Sequence, residues 1–248
     1  MTSSLDELWE SAPLATERFT PDRVAAVPEP ARRYLLHALS EGAPLAQAVR
    51  LRMHGEIKLG TRWRPYTADQ VLRWDRGMVW RAQVKWGLAS VRGFDRVVDG
   101  QGEMRWKLLG LIPLVSARGE DVTTSALGRM HVESIWLPSL FLGPDARWLA
   151  GASEEDAEVE LSSSGVRSRL RLGLSDSGGL RDVATERWGQ PDPALPFCSA
   201  RFGGVVSAEA TFGGFTVPSE LRAGWHYGSD RFGEGEFFRV TLDEALYK

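Results

Sequence analysis

The sequence predicts a mainly β (α+β) fold: a curled antiparallel sheet or unclosed β-barrel of about ten to twelve strands with covering helices. Three observations carry this expectation. Apolar and polar residues alternate with a period of two through most of the chain from Val49 onward. Short turn signals separate the alternating runs, and neither an internal repeat nor a long linker divides them. One stretch, 122–142, breaks the alternation with residues that are apolar almost all round, as a buried helix requires. Twist accumulates across strands, so an open sheet of more than roughly ten strands curls or splits, and its concave face needs cover. The expected organisation is a set of N-terminal helices over 1–45 packing on one half-barrel unit, 46–248, with the helix 122–142 inserted in it.

Ser4 to Glu7 reads Ser-Leu-Asp-Glu, a capping box that would start a short helix carrying Leu8 and Trp9. Thr20-Pro21 offers a second start. From Pro30, Ala31, Tyr34, Leu35, Ala38 and Leu39 fall on one helical face, and Gly42 is the expected terminator. The period then changes to two. Val49, Leu51 and Met53 alternate with Arg50, Arg52 and His54, and Met78, Trp80, Ala82, Val84 and Trp86 alternate with Arg81, Gln83 and Lys85. Strands also follow near 68–74, 91–98 and 103–108. Such alternation marks antiparallel strands, because parallel strands buried on both faces read as continuous apolar runs. In 122–142, Asp121, Thr123 and Thr124 are the candidate caps, and Pro138 should kink or end the helix. Five further strands are expected, around 157–161, 166–174, 180–188, 198–212 and 215–227, and a last one over 234–247. A tight turn is expected at Gly213-Gly214, and the longest loop over the Pro-rich 190–197.

Composition narrows the function classes. In 248 residues the greasiest stretch, Leu108 to Val115, is short and interrupted by Gly110 and Pro113, so no stable membrane insertion is expected. The acidic start, with Asp6, Glu7 and Glu10, lacks the form of a secretory signal, and the expected location is cytoplasmic. A single cysteine, Cys198, and four scattered histidines support neither a disulfide nor a metal site, and no cofactor motif is present. Residues 46–118 hold 14 Lys+Arg against 6 Asp+Glu, while the rest of the chain holds 16 against 27. The basic residues Arg50, Arg52, Arg81 and Arg105 lie opposite the apolar phase, so they should form a solvated outer face. That face gives no ground for a nucleic-acid partner, because no aromatic residues interleave with it.

Pro30-Ala-Arg-Arg-Tyr-Leu35, Arg62-Trp-Arg-Pro-Tyr-Thr-Ala-Asp-Gln70, Val79-Trp-Arg-Ala82, Asp99-Gly-Gln-Gly102 and Arg129-Met-His-Val-Glu-Ser-Ile-Trp-Leu-Pro138 together resemble a bacterial family of uncharacterised proteins, a domain of unknown function. Its layout is similar to that of the lipoprotein-localisation carriers (LolA/LolB-like), whose unclosed β-barrel holds acyl chains under helical lids. What the resemblance implies is a half-barrel with a hydrophobic concavity. Those carriers work behind a signal peptide, so the resemblance does not carry a lipoprotein-shuttling role to this chain.

Trp80, Trp86 and Trp106 share the apolar phase of their strands and should lie on the concave face, as filled core or as a wall for an acyl or polycyclic ligand. Glu133 sits on the apolar helix with Arg129 four residues before it; it is either a structural ion pair or a group that holds or titrates against a ligand. The leading expectation is a binding protein for a hydrophobic or amphipathic, lipid-like small molecule. Trp80, Trp86, Trp106, Ile135, Trp136 and Leu140 would line the site, and Gln70 and Glu133 would orient a polar group. The alternatives are an enzyme using Glu133 as general acid or base with His131 or an arginine assisting, and an interaction module docking through its basic outer sheet. The sequence carries no signal of oligomeric state.

Overall fold

A computed structural model describes residues 4–248, and for 150–152 the backbone alone. The first meander runs through β1 (Ala48–Leu59), β2 (Arg62–Arg73), β3 (Gly77–Trp86), β4 (Ala89–Val98), β5 (Gln101–Leu108) and β6 (Ile112–Arg118). The second runs through β7 (Ala146–Ser153), β8 (Asp156–Ser163), β9 (Val166–Leu174), β10 (Leu180–Gly189), β11 (Cys198–Phe212), β12 (Phe215–Trp225) and β13 (Glu236–Tyr247). The two meanders meet where β1 pairs with β13, giving one antiparallel sheet in the order β6-β5-β4-β3-β2-β1-β13-β12-β11-β10-β9-β8-β7.

The sheet has two edges, β6 and β7, and the chain passes from one to the other through α3 (Glu120–Glu133) and two 3-10 turns, Ser134–Trp136 and Pro138–Leu142. α3 packs against β3–β6 and also against β9 and β10. In a flat sheet β3 and β10 would stand roughly 30 Å apart at about 4.8 Å per strand. A helix about 10 Å wide cannot touch both, so the sheet curls around α3.

The thirteen strands exceed the expected ten to twelve, and the two unforeseen ones are the edges. An edge strand has one neighbour, and β6 is exposed along most of its length, Ile112, Leu114 and Val115 included. Alternation is written by burial of one face, so β6 carries none. The helix expected over 122–142 also changes form. The α-helix closes at Glu133, and Pro138, which lacks an amide, opens the second 3-10 turn.

None of Asp121, Thr123 and Thr124 caps α3; its N-cap is Gly119. Thr123 instead docks the helix on β5. Its Oγ1 accepts from the Gly102 amide at 2.9 Å and donates to the Gly119 carbonyl at 2.9 Å. A Cβ on Gly102 would stand 2.5 Å from the Thr123 Cα, so only glycine permits the approach.

α1 (Leu5–Glu10) starts with both halves of the capping box: Ser4 Oγ accepts from the Glu7 amide at 3.1 Å, and Glu7 accepts from the Ser4 amide at 3.3 Å. Leu5, Leu8 and Trp9 lie against Val71, Val79 and Val98, the outward phase of the first meander, so α1 covers the convex side. α2 (Glu29–Ala38) buries Ala31, Tyr34, Leu35 and Ala38 in the main core. It ends at Leu39, before Gly42, because Leu39 turns extended and bridges Phe215. The outer arginines find acids, with Arg50 and Arg81 on Asp6 and Arg52 between Asp69 and Glu244. Such exposed pairs contribute about 0–1 kcal/mol each.

A Gly102→Val substitution should lift the first turn of α3 from β5 and destabilise the fold by roughly 1–3 kcal/mol through overpacking. Urea unfolding with the midpoint compared to the native sequence measures it.

Candidate functional site

Between α3 and the concave face lies a cavity of about 260 Å³. Helical spacing builds its roof: Val122, Ser125, Ala126, Arg129, Glu133 and Trp136 recur at three- and four-residue steps and all face inward. The cavity exists because small residues meet across it, Ser125 and Ala126 from the helix against Gly204 and Ala223 from the sheet. Its walls are large and apolar, Met78, Trp80, Leu221 and Phe238 among them. The lining is part-exposed at Val122, Ser125, Ala126 and Met104 and fully buried at Ile135 and Trp136. One end therefore reaches solvent and the other is closed.

A charged network crosses this apolar space. Arg129 donates from Nε to Glu133 at 2.7 Å and from Nη1 to Asp95 at 3.1 Å, and its guanidinium lies 4.8 Å above the Trp80 ring. Gln70 donates to the other Glu133 oxygen at 2.7 Å, and the Trp106 indole N–H donates to Asp95 at 2.9 Å. Burial pushes the Asp95 carboxyl up, against the pull of Arg129 and the Trp106 N–H. Burial opposes the charge on Arg129 too, but Glu133 and Asp95 hold its pKa above the ordinary value. A second cation, Arg187, reaches in from β10. Burial and the nearby Arg129 pull it down to about 10, so it stays charged at neutral pH.

Of the residues singled out from sequence, Trp80, Glu133, Ile135 and Trp136 line the cavity. Gln70 and Trp106 stand behind that wall. Gln70 holds Glu133, and Trp106 packs on Trp80 with ring centroids 5.7 Å apart. Trp86 is not at the site: it keeps the right phase but is the last residue of β3, 44% exposed, with Arg64 stacked on it at 4.9 Å. Leu140 is not there either, because the 3-10 turn after Pro138 carries it into the core beyond the cavity.

His131 points away from Glu133, into the second meander. Its ring nitrogens lie 2.7 Å from the Ser168 and Ser163 hydroxyls, and burial pushes its pKa down to about 4. The two residues do not converge on one pocket, so an acid–base pair between them has no geometric basis. Sequence reasoning missed Asp95 and Arg187. Both occupy the apolar phase of a strand, Asp95 with Val91 and Val97, Arg187 with Val183 and Thr185. A charge in that phase is the signal that could have found them.

A family model described as a family of unknown function (DUF6544) matches residues 17–238. Among solved structures, the chain is similar to a LolA superfamily protein from Nitrosomonas europaea, with 8% identity, TM-score 0.43, and coverage of 82% of this chain and 86% of that one. It is also similar to a DUF1329 family protein from Desulfovibrio piger, with 10% identity, TM-score 0.44, and coverage of 82% and 86%. No curated protein matches the sequence.

Replacing Arg129 with Met should strand two buried carboxylates and cost about 3–5 kcal/mol of stability. Adding Asp95→Asn and Glu133→Gln should restore most of the loss, as urea unfolding of the single and triple variants will show. His131 gives a pH signature. The unfolded ring takes its proton near 6.5, whereas the folded one stays neutral to about pH 4. Stability is therefore intact above pH 6.5 and falls as pH drops toward 4. At pH 5 the loss relative to pH 7 should be about 2 kcal/mol, and it should vanish in His131→Gln.

Proposed function

We propose that this chain, which belongs to the DUF6544 family of unknown function, binds a small amphipathic, lipid-like molecule between α3 and the concave face of its sheet. The observation that carries the reading is the cavity of about 260 Å³, walled by large apolar side chains and crossed by charged groups that are already fixed by one another. Interiors pack to crystal-like density with few voids larger than a water molecule. An apolar space of this size left unfilled forgoes on the order of 6 kcal/mol at about 24 cal/mol per Å³. That is comparable to the whole net stability of a domain, roughly 5–15 kcal/mol. An occupant that fills the space offsets the loss.

The shape supports an amphiphile over a uniformly apolar guest. The closed end, at Ile135 and Trp136, suits a hydrocarbon tail. Ser125 and the Arg187 that bonds it lie at the part-exposed end. The volume sits near the small end of ligand pockets, roughly 300–1,000 Å³, which favours a single chain of moderate length.

The purified full chain, extracted into organic solvent and analysed by mass spectrometry, should yield a lipid-like molecule at close to one per chain. Ala126→Trp, which puts an indole into the cavity from a part-exposed helix position, should lose that molecule while keeping its unfolding midpoint within about 1 kcal/mol of the parent. An empty extract from the unmodified protein contradicts the proposal.

A further inference from the structure

Six charged side chains line the cavity; Arg96 and Glu103 pair with each other, and three more answer to one another. Asp95 and Glu133 both contact Arg129, and their remaining oxygens are taken by the Trp106 and Gln70 donors. Arg187 is left over. It forms no ion pair with any described residue. Its Nε and Nη2 donate to the Ser125 carbonyl at 3.3 and 3.2 Å, and Nη2 reaches the Ser125 hydroxyl at 3.3 Å. The guanidinium is held between Phe202 and Trp225, at 4.8 and 5.2 Å from their ring centroids.

This placement is built rather than incidental. The Arg187 stem crosses α3 at Gly128, where a Cβ would stand 3.2 Å from the Arg187 Cγ, so any side chain there would press on the arginine stem. Arg187 is 9% exposed. A buried cation is costly without a counter-ion; one held in this way, with Nη1 donating to no described residue, is completed by an anion from outside the chain. A second group agrees. Trp80, whose side chain lines the same cavity, carries a buried indole N–H with no hydrogen-bond partner. Both open groups are donors, and an oxyanion offers only acceptors.

We infer that Arg187 anchors the head of the ligand, and that the ligand is therefore a single-chain acid bearing one oxyanion group, a carboxylate or a phosphate monoester. The inference rests on the cavity being a ligand site, as proposed above. Arg129 cannot take this role, since its guanidinium is committed to two carboxylates. The head sits beside Ser125, at the part-exposed end of the cavity, and the tail runs toward Ile135 and Trp136. Nη1, with its two N–H groups, is the part of Arg187 left to meet the head.

Decanoic acid, decyl phosphate and 1-decanol, added separately to the delipidated full chain, test this by quenching of tryptophan fluorescence and by calorimetry. At least one of the acids should bind roughly 30-fold more tightly than decanol, as expected for a buried charge-assisted contact. Whichever acid binds more tightly identifies the head. Arg187→Met should bring the acids to the affinity of decanol and leave decanol unchanged, and Arg187→Lys should retain part of the preference. Equal binding of acid and alcohol by the unmodified protein overturns the inference and leaves the cavity reading standing, as does an equal loss of all three in Arg187→Met. If none of the three binds the unmodified protein, the cavity reading and the inference fall together. The comparison of acid with alcohol needs no variant, so it decides the matter even if Arg187→Met does not fold.

Discussion

One chain segment, residues 119–145, has to do three things at once: leave the sheet at β6, re-enter it at β7, and roof the concave face between them. The order of the strands imposes this, since the two meanders join at β1 and β13 and leave the chain's midpoint to span the gap between the edges. The helix cannot sit elsewhere without stretching one connection, and the sheet cannot flatten without losing α3 from one of its flanks. Curl, roof and cavity are consequences of that single crossing.

A helix in this position faces apolar strands on both sides, yet it carries Arg129 and Glu133 inward. The arrangement holds because the charges are mutually satisfied. Arg129 bridges a carboxylate on its own helix and one on β4, so the same ion cluster ties roof to floor. Apolar residues of equal volume would stabilise the contact as well or better. The cluster's distinctive effect is geometric: it fixes the height of α3 above the sheet while Ser125, Ala126, Gly204 and Ala223 leave the space beneath it open. Arg187 then stands out by contrast, a buried cation whose neighbours are two aromatic rings, a carbonyl and a hydroxyl.

The parts of the structure that could be read from sequence are those in which burial on one face writes a pattern. The alternation expected over 78–86 is found from Trp80 to Lys85, the capping box at Ser4 is found as expected, and the apolar stretch after Glu120 does form the buried cover. The edges were not legible, because β6 is exposed along most of its length and β7 begins three residues after a 3-10 turn. Trp86 misled for a related reason: phase says which way a side chain points, but not whether anything lies opposite it. Contacts between α3 and the far flank of the sheet, such as Ser125 with Arg187, depend on the curl and have no local signature.

The space under α3 is either a binding site, as proposed, or slack in the core. A high-resolution crystal structure of the protein as purified, without added lipid, decides between them most directly. A bound amphiphile should give continuous non-protein density along the cavity from Arg187 and Ser125 toward Trp136, with an acceptor atom within hydrogen-bonding distance of Arg187 Nη1. Side chains closed into the space, with Arg187 turned to a carboxylate of its own chain, would contradict the proposal.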